Sequence, residues 1–217
     1  MNLHEYEAIK QNVRRTYDVA ALDYHSLFRN ELDDHEYDRS LLDRFAENFS
    51  PESILCDIGC GPSVQYGGYL FSKGLNVHGL DFSKSCIDNA RALYPNMVFH
   101  LDDMTNTALP DGMFDGILSF YALFHIPRKF QHEVFSEFRR LLKPNGKLLL
   151  VTHKGSLTKT IHKIWNHDNI DLFMNFSSER HIRRLLKDSG FIIDAVDSVK
   201  SYYGFPKERI IAFAAKP

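Results

Sequence analysis

Long apolar runs are missing from this sequence. The longest stretches without Asp, Glu, Lys or Arg, such as residues 58–72, are broken by Gly, Pro, Ser and Gln. A membrane-spanning helix needs about 20 mostly apolar residues, so no span and no membrane partner is expected. Cysteine is scarce: Cys56, Cys60 and Cys86 are the only three. They form no disulfide framework and suit a reducing cytoplasm. The N-terminal MNLHEYEAIKQNVRR lacks the apolar core of a signal peptide. Without a secretion signal, the sequons Asn48-Phe-Ser50 and Asn175-Phe-Ser177 read as chance. His153, His162, His167 and His181 have no ligand-like spacing and no Cys pair beside them, so no metal is expected. Repeats and low-complexity segments are also missing, which excludes collagenous and disordered classes.

What is present is the composition of a globular chain. Of 217 residues, 44% are hydrophobic and 25% charged. A chain of this length buries about 70% of its unfolded surface and needs no staple. One domain is expected over 1–217. The net charge of −2 hides an asymmetry. Residues 1–50 carry 6 basic and 11 acidic residues, residues 51–127 carry 3 and 8, and residues 128–217 carry 17 and 9. A basic final third raises the possibility of an anionic partner.

Residues 3–49 read as helical. Tyr6, Ile9, Val13, Tyr17, Ala20 and Tyr24 fall at three- and four-residue steps, an amphipathic stripe. A second helix is predicted over Glu36–Asn48. From Pro51 short apolar runs alternate with helical segments. The runs are Ile54–Ile58, Leu75–Leu80, Met97–Leu101, Phe114–Ser119, Lys147–Thr152, Phe191–Val199 and Ile210–Ala214. This alternation predicts an α/β fold: a mostly parallel sheet with helices on both faces. The last two runs are joined by a short link with Gly204 and Pro206, too little chain for a helical crossover, so the final strand should run antiparallel. Residues 155–177 fit no regular unit and read as an insertion or lid.

Five motifs follow in order. Ile54-Leu-Cys-Asp-Ile-Gly-Cys-Gly-Pro-Ser63 is a buried strand ending in Asp57, then a glycine turn opening a helix. Gly59 and Gly61 allow a sharp turn and close approach to a ligand. Ligands of α/β sheets bind beyond the carboxyl ends of strands, at helix N-termini. The third glycine of the dinucleotide pattern would fall at Val64, which weakens a nicotinamide or flavin reading. A carboxylate at Asp57 repels a pyrophosphate and suits a cationic ammonium. Gly79-Leu-Asp81-Phe-Ser83 ends the next strand. An acid at that distance commonly accepts from ribose hydroxyls. Phe82 is placed to pack on adenine, and Ser83 to cap the next helix. In Leu101-Asp-Asp-Met104, Asp103 is the choice to accept from an adenine amino group with Met104 as ring contact, Asp102 being the competing assignment. Phe114–His125 carries Ser119 on its strand and runs into an aromatic loop. Pro144-Asn-Gly146 ends one helix and starts a strand.

In this order the motifs DIGCG, GLDFS, LDDM, LPDGMFDGILSFYALFHI and LLKPNGKLLLV resemble the class I S-adenosylmethionine-dependent methyltransferases, most of all the small-molecule branch related to ubiquinone-type enzymes. The resemblance covers residues 51–152. It implies a Rossmann-like seven-stranded sheet of order 3-2-1-4-5-7-6 with strand 7 antiparallel. It divides the chain into a helical N-terminal cover (1–50), a cofactor-binding core (51–154), an insertion (155–177) and a C-terminal helix with strands (178–217). It implies S-adenosyl-L-methionine as cofactor and S-adenosyl-L-homocysteine as product. Asp57, Gly59 and Gly61 would hold the methionine part, Asp81 the ribose, and Asp103 with Met104 the adenine; Phe82 and Ser119 complete the expected cofactor set. One departure stands out: the family's usual third glycine is Ser63 here, preceded by Pro62. Tyr17-Asp-Val-Ala-Ala-Leu-Asp-Tyr24 resembles a Y-x-x-A-x-x-Y element of this branch, so Tyr17 and Tyr24 would close over the methionine part.

The implied reaction is in-line methyl transfer to O, N or C of a small, partly apolar molecule. His125 is the candidate base, against a plain loop-capping role. Tyr121, His125, Trp165, Tyr202 and Tyr203 are the candidates for the acceptor pocket. The alternatives are a nucleic-acid or protein methyltransferase using the basic final third and a non-catalytic S-adenosylmethionine-binding protein. The first is disfavoured because Ser-Phe-Tyr-Ala, not Asn-Pro-Pro-Tyr, follows the fourth core strand.

Overall fold

A computed structural model describes residues 1–165, 167–202 and 204–217. Three helices precede the sheet: α1 (Leu3–Phe28), α2 (Glu31–Asp34) and α3 (Glu36–Ala46). Asn2 and Glu5 form a reciprocal capping box that starts α1. The strands are β1 (Ile54–Ile58), β2 (Asn76–Asp81), β3 (Val98–Leu101), β4 (Phe114–Phe120), β5 (Leu142–His153), β6 (Thr158–Ile164), β7 (His167–Asn175), β8 (Ile192–Lys200) and β9 (Glu208–Ala215). Helices α4 (Gln65–Ser72), α5 (Lys84–Leu93), α6 (Gln131–Leu141) and α7 (Glu179–Asp188) alternate with them.

Seven strands form one sheet of order β3-β2-β1-β4-β5-β9-β8. Strands β1 to β5 pair in parallel, and β9 runs antiparallel between β5 and β8. This is the predicted 3-2-1-4-5-7-6 order once the two strands of the insertion are set aside. The strand predictions agree with the observed elements to within a residue or two, except for β5, which begins at Leu142. There the chain makes an irregularity before Gly116 pairs with Lys147, and Asn145 takes a left-handed φ of 64°.

Alternation along each strand sorts the core into two layers. Leu148 and Leu150 of β5 join Ile210, Ala212, α6 and α7 on one face; Leu149 and Val151 join Ile211, Phe213, α3, α4 and α5 on the other. Both faces are thus covered, as a largely parallel sheet requires. The insertion departs from expectation. Within it, β6 and β7 pair as an antiparallel hairpin with one register shift between Ile161 and Lys163, where irregular chain was expected. The hairpin lies on α1: Leu172 and Phe173 pack with Val13, Thr16 Oγ1 donates to the Asp171 carbonyl (3.2 Å), and His167 meets Asp23 at 2.8 Å. Its core face looks onto the cap, so period-2 burial is confined to a few residues and the strands are hard to see in sequence. No helix among the described residues is long and apolar enough to cross a membrane.

Candidate active site

Helix α1 crosses the carboxyl ends of the parallel strands and roofs a cavity that Lys10, Val13, Tyr17 and Tyr24 line from above. Its floor comes from the strand ends and the turns that leave them. Gly59 has φ 76° because the turn after β1 must reverse at once, and an added Cβ there would sit 2.3 Å from Ala122 Cβ. Gly61 has φ 62°, and an added Cβ would meet nothing within 4 Å. Its open side forms part of the cavity wall, a cradle of bare backbone. Ser63, where a third glycine was the family's habit, lines the cavity and meets His25 Nδ1 of α1 at 3.1 Å. The departure therefore ties the roof to the turn.

Asp81 closes the end of β2. Its carboxylate accepts from the Gly61 N–H (3.0 Å) and the Ser83 N–H (2.9 Å). Each oxygen takes one donor and keeps a second lone-pair site. Burial pushes its carboxyl up to about 6, against the pull of those two N–H groups. Ser83 caps α5 as predicted, its hydroxyl accepting from the Cys86 N–H at 3.1 Å. Phe82, Asp102, Asp103 and Met104 line the next part of the wall. Asp103 accepts from the Thr105 N–H (2.9 Å) and from Lys10 Nζ of α1 (2.7 Å). Asp102 instead holds the Asp103 and Ala108 N–H groups at 2.8 and 2.9 Å.

Two expected cofactor residues do not line the cavity. Asp57 is buried beneath the glycine turn and accepts from the Gly67 N–H of α4 at 3.0 Å. It aims the helix rather than meeting the cavity, and burial raises its carboxyl to about 7. Ser119 is buried within β4, its hydroxyl donating to the Ile58 carbonyl at 2.9 Å. It locks β4 to the end of β1.

The other half of the cavity is aromatic. Tyr17, Tyr24, Tyr66, Phe120, Tyr121 and His125 line it. His125 meets the Phe173 carbonyl of the hairpin through Nδ1 at 2.8 Å and the Tyr17 hydroxyl through Nε2 at 2.8 Å. A carbonyl only accepts, so Nδ1 carries the hydrogen and Nε2 accepts from Tyr17. Burial lowers the imidazole to about 4 and raises the Tyr17 phenol, so both are neutral near pH 7. Tyr121 has φ 53°, and its hydroxyl accepts from Arg209 Nη1 at 2.8 Å. Arg209 is itself buried in an ion pair with Asp38 of α3 at 2.6 Å.

Two acceptor-pocket predictions fall elsewhere. Trp165 packs behind the roof, 5.5 Å from Tyr17 and 5.0 Å from Tyr24 by ring centres. It buttresses those rings without lining the cavity. Tyr202 is 40% exposed, stacked on His35 at 3.6 Å, with the Arg209 guanidinium 4.5 Å from its ring. Tyr203 lies outside the described residues. Sequence reasoning missed Lys10, Gln65 and Tyr66 on the wall and the Asp38–Arg209 pair behind it. A charged residue opening the apolar run Arg209–Ala215 was the one available signal. No group of three or more metal-ligating side chains occurs among the described residues.

Residues 56–150 match the protein family described as Methyltransferase domain. Among curated proteins, the chain is 32% identical over 109 residues to phosphoethanolamine N-methyltransferase 1 of Arabidopsis thaliana, covering 48% of this chain and 21% of that protein. It is 30% identical over 145 residues to 2-methyl-6-phytyl-1,4-hydroquinone methyltransferase of Synechocystis sp., covering 64% and 41%. The chain thus spans less than half the length of these relatives. Among solved structures, 1,6-didemethyltoxoflavin-N1-methyltransferase of Burkholderia thailandensis superposes with a TM-score of 0.74 at 16% identity, over 100% of this chain and 91% of that one. Magnesium protoporphyrin IX methyltransferase from Synechocystis superposes at 0.73 and 17%, over 96% and 97%. These two show the shared fold. Residues 56–150 thus carry a match to a methyltransferase domain, within a sheet whose order is the one the sequence resemblance implies.

Proposed function

We propose that the protein is an S-adenosylmethionine-dependent methyltransferase of a small molecule. The observation that carries this reading is a single cavity in which Gly61, Asp81, Asp103 and Met104 line the carboxyl ends of adjacent parallel strands. The bare backbone at Gly61 and the second lone-pair sites of Asp81 fit an amino-acid nucleoside. Gly59 and Gly61 would flank its methionine part, Asp81 its ribose, and Phe82, Asp103 and Met104 its adenine, with Tyr17 and Tyr24 above. Asp57 and Ser119 would act from beneath, by aiming α4 and fixing the turn. The cofactor supplies a methyl group on a sulfonium, already a good leaving group.

The chain's own part is to orient the acceptor, exclude water and take a proton. Positioning of this kind is worth on the order of 7–11 kcal/mol. Both ring nitrogens of His125 are engaged, so a proton from the acceptor would reach it through Tyr17: the phenol oxygen takes the acceptor's proton as its own passes to Nε2. The resulting imidazolium keeps its Nδ1 hydrogen on the Phe173 carbonyl. An aromatic roof also favours a sulfonium for the reason it favours an ammonium.

The acceptor is taken to be small because the aromatic half is enclosed by α1 and the Phe120–Ile126 segment. The basic final third gives the nucleic-acid reading little support, since Arg140 is paired with Glu137 and Asp111, and Arg183 donates to the Val196 carbonyl. Three buried free thiols suit action in the cytoplasm. Titration calorimetry is the test: S-adenosylhomocysteine should bind in the micromolar range, and Asp81→Ala should weaken it about tenfold or more through loss of charge-assisted hydrogen bonds. No binding, or an unchanged Asp81→Ala, would sink the reading. His125→Ala should keep that affinity and lose about 10²–10⁴-fold in turnover.

A further inference from the structure

Cations are scarce in the cavity. Asp81, Asp102 and Asp103 all line it, and Lys10 is the one lysine or arginine that does so among the described residues. Lys10 comes from the roof. Its Nζ donates to Asp103 Oδ2 at 2.7 Å, the two side chains being 18% and 21% exposed. Glu7, one turn back on α1, is 3.4 Å from the same Nζ, and the centre of the Tyr6 ring is 5.0 Å from it. Burial works against the charge, yet the bonds to Asp103 and Glu7 raise the amine above its ordinary value, so it stays an ammonium.

The two oxygens of Asp103 are loaded unequally. Oδ1 accepts from both the N–H and the hydroxyl of Thr105, at 2.9 and 2.7 Å. Oδ2 accepts from Lys10 alone among the described residues. A carboxylate oxygen takes about two donors, so Oδ1 is filled and Oδ2 keeps one lone-pair site. An ammonium carries three hydrogens; Asp103 takes one of Lys10's and Glu7 at most another. An acceptor and a donor with capacity left therefore stand side by side on the cavity wall, 2.7 Å apart. Val13, one turn from Lys10, and Met104, next to Asp103, add apolar surface to that wall. A 6-aminopurine has the matching edge. Its amino group donates, and the ring nitrogens on either side of that group, N1 and N7, accept.

We infer that Lys10 is a cofactor-binding residue: its ammonium donates to the ring nitrogen beside the adenine amino group, while Asp103 Oδ2 accepts from that amino group. The roof helix thus reads the base as well as covering it. This rests on the methyltransferase reading above and deepens it. The competing role for Lys10 is a clasp that only holds α1 down on the turn after β3.

Titration calorimetry without any acceptor separates the two. The ligands are S-adenosylhomocysteine and its 1-deaza and 7-deaza analogues, each of which replaces one flanking nitrogen by C–H. One of the two analogues should bind the wild type about tenfold more weakly than S-adenosylhomocysteine, the worth of a hydrogen bond to a charged group. Lys10→Met should lose about tenfold for S-adenosylhomocysteine and no longer distinguish it from that analogue. If Lys10→Met shows no cooperative thermal transition, Lys10→Gln, which keeps a neutral donor to Asp103, is measured instead, and its preference should shrink in the same direction. An equal loss for all three ligands makes Lys10 a clasp and overturns the inference. So does an unchanged affinity for S-adenosylhomocysteine in the variant. Both results leave the cofactor reading standing, whereas a wild type that binds none of the three removes it and the inference together.

Discussion

The two halves of the cavity are built in different ways. The half beneath the roof at β1, β2 and β3 is made by contiguous motifs: a strand, its terminal acid and the turn that follows. Asp81, for example, holds the N–H of Ser83 two residues on and of Gly61 across the neighbouring strand pair. The aromatic half is assembled from residues far apart in the chain. Tyr17, His125 and Phe173 meet in one hydrogen-bonded line, and Asp38, Tyr121 and Arg209 in another. A site of local motifs tolerates changes elsewhere in the chain; one of long-range contacts depends on how the cap, the hairpin and β9 are docked.

Cutting the long-range half should have the largest effect. Arg209→Met leaves Asp38 as a buried, unpaired carboxylate, and such breaks cost about 3–5 kcal/mol. Denaturant unfolding should show that loss, and Asp38→Leu in the same chain should restore most of it. A double variant no more stable than the single would mean that the pair is not what fixes α3 to β9.

A change in the local half should cost less and fall on ligand affinity as well as stability. Gly59→Ala adds a Cβ at φ 76°, 2.3 Å from Ala122 Cβ. Left-handed strain and overpacking together are worth about 2–4 kcal/mol. Unfolding and calorimetry run side by side should both register it, whereas Trp165→Ala, behind the roof, should spare cofactor affinity. If Trp165→Ala weakened cofactor binding as much as Gly59→Ala does, the division between the halves would not hold.

The smallest effect concerns pH. Asp81 has its carboxyl raised to about 6 by burial, so it takes up a proton as pH falls through that value. A protonated acid has lost one charge-bearing acceptor, so S-adenosylhomocysteine affinity should be flat above pH 7 and fall about fourfold by pH 5.5. His125, whose imidazole is lowered to about 4, acts on stability. The unfolded chain binds its proton between about pH 6.5 and 4 and the folded chain does not, so that stability is present above pH 6.5 and is lost on acidification. His125→Asn should therefore show a shallower acid loss of thermal midpoint than the wild type.

Legibility in the sequence followed the same division. The strand-tip acid Asp81, the turn glycines and the pair Asp103 and Met104 were readable because strand end, turn and helix start are neighbours in the chain, and all of them line the cavity. Asp57 was readable as a strand-tip acid, but its direction was not: whether a carboxylate faces a ligand or a helix N–H depends on the pleat and on what α4 presents beneath it. The aromatic half was harder. Trp165 and Tyr202 read as pocket walls by composition alone, and they sit behind the roof and over Arg209 because the docking of the hairpin and of the β8–β9 link decides which way each ring turns. Gln65 carried no signal at all, since a glutamine opening a helix is ordinary until Glu31 is brought to it from 34 residues away.

Alternating strand and helix patterns were enough to determine a mostly parallel sheet, and the short last link its antiparallel final strand, while the strand order came from the resemblance of the ordered motifs to a known family. The tertiary structure alone decided the hairpin on α1, the Tyr17–His125–Phe173 line and the buried Asp38–Arg209 pair. Those are contacts between segments with no shared periodicity, held by a few hydrogen bonds and one buried ion pair whose partners no local rule connects.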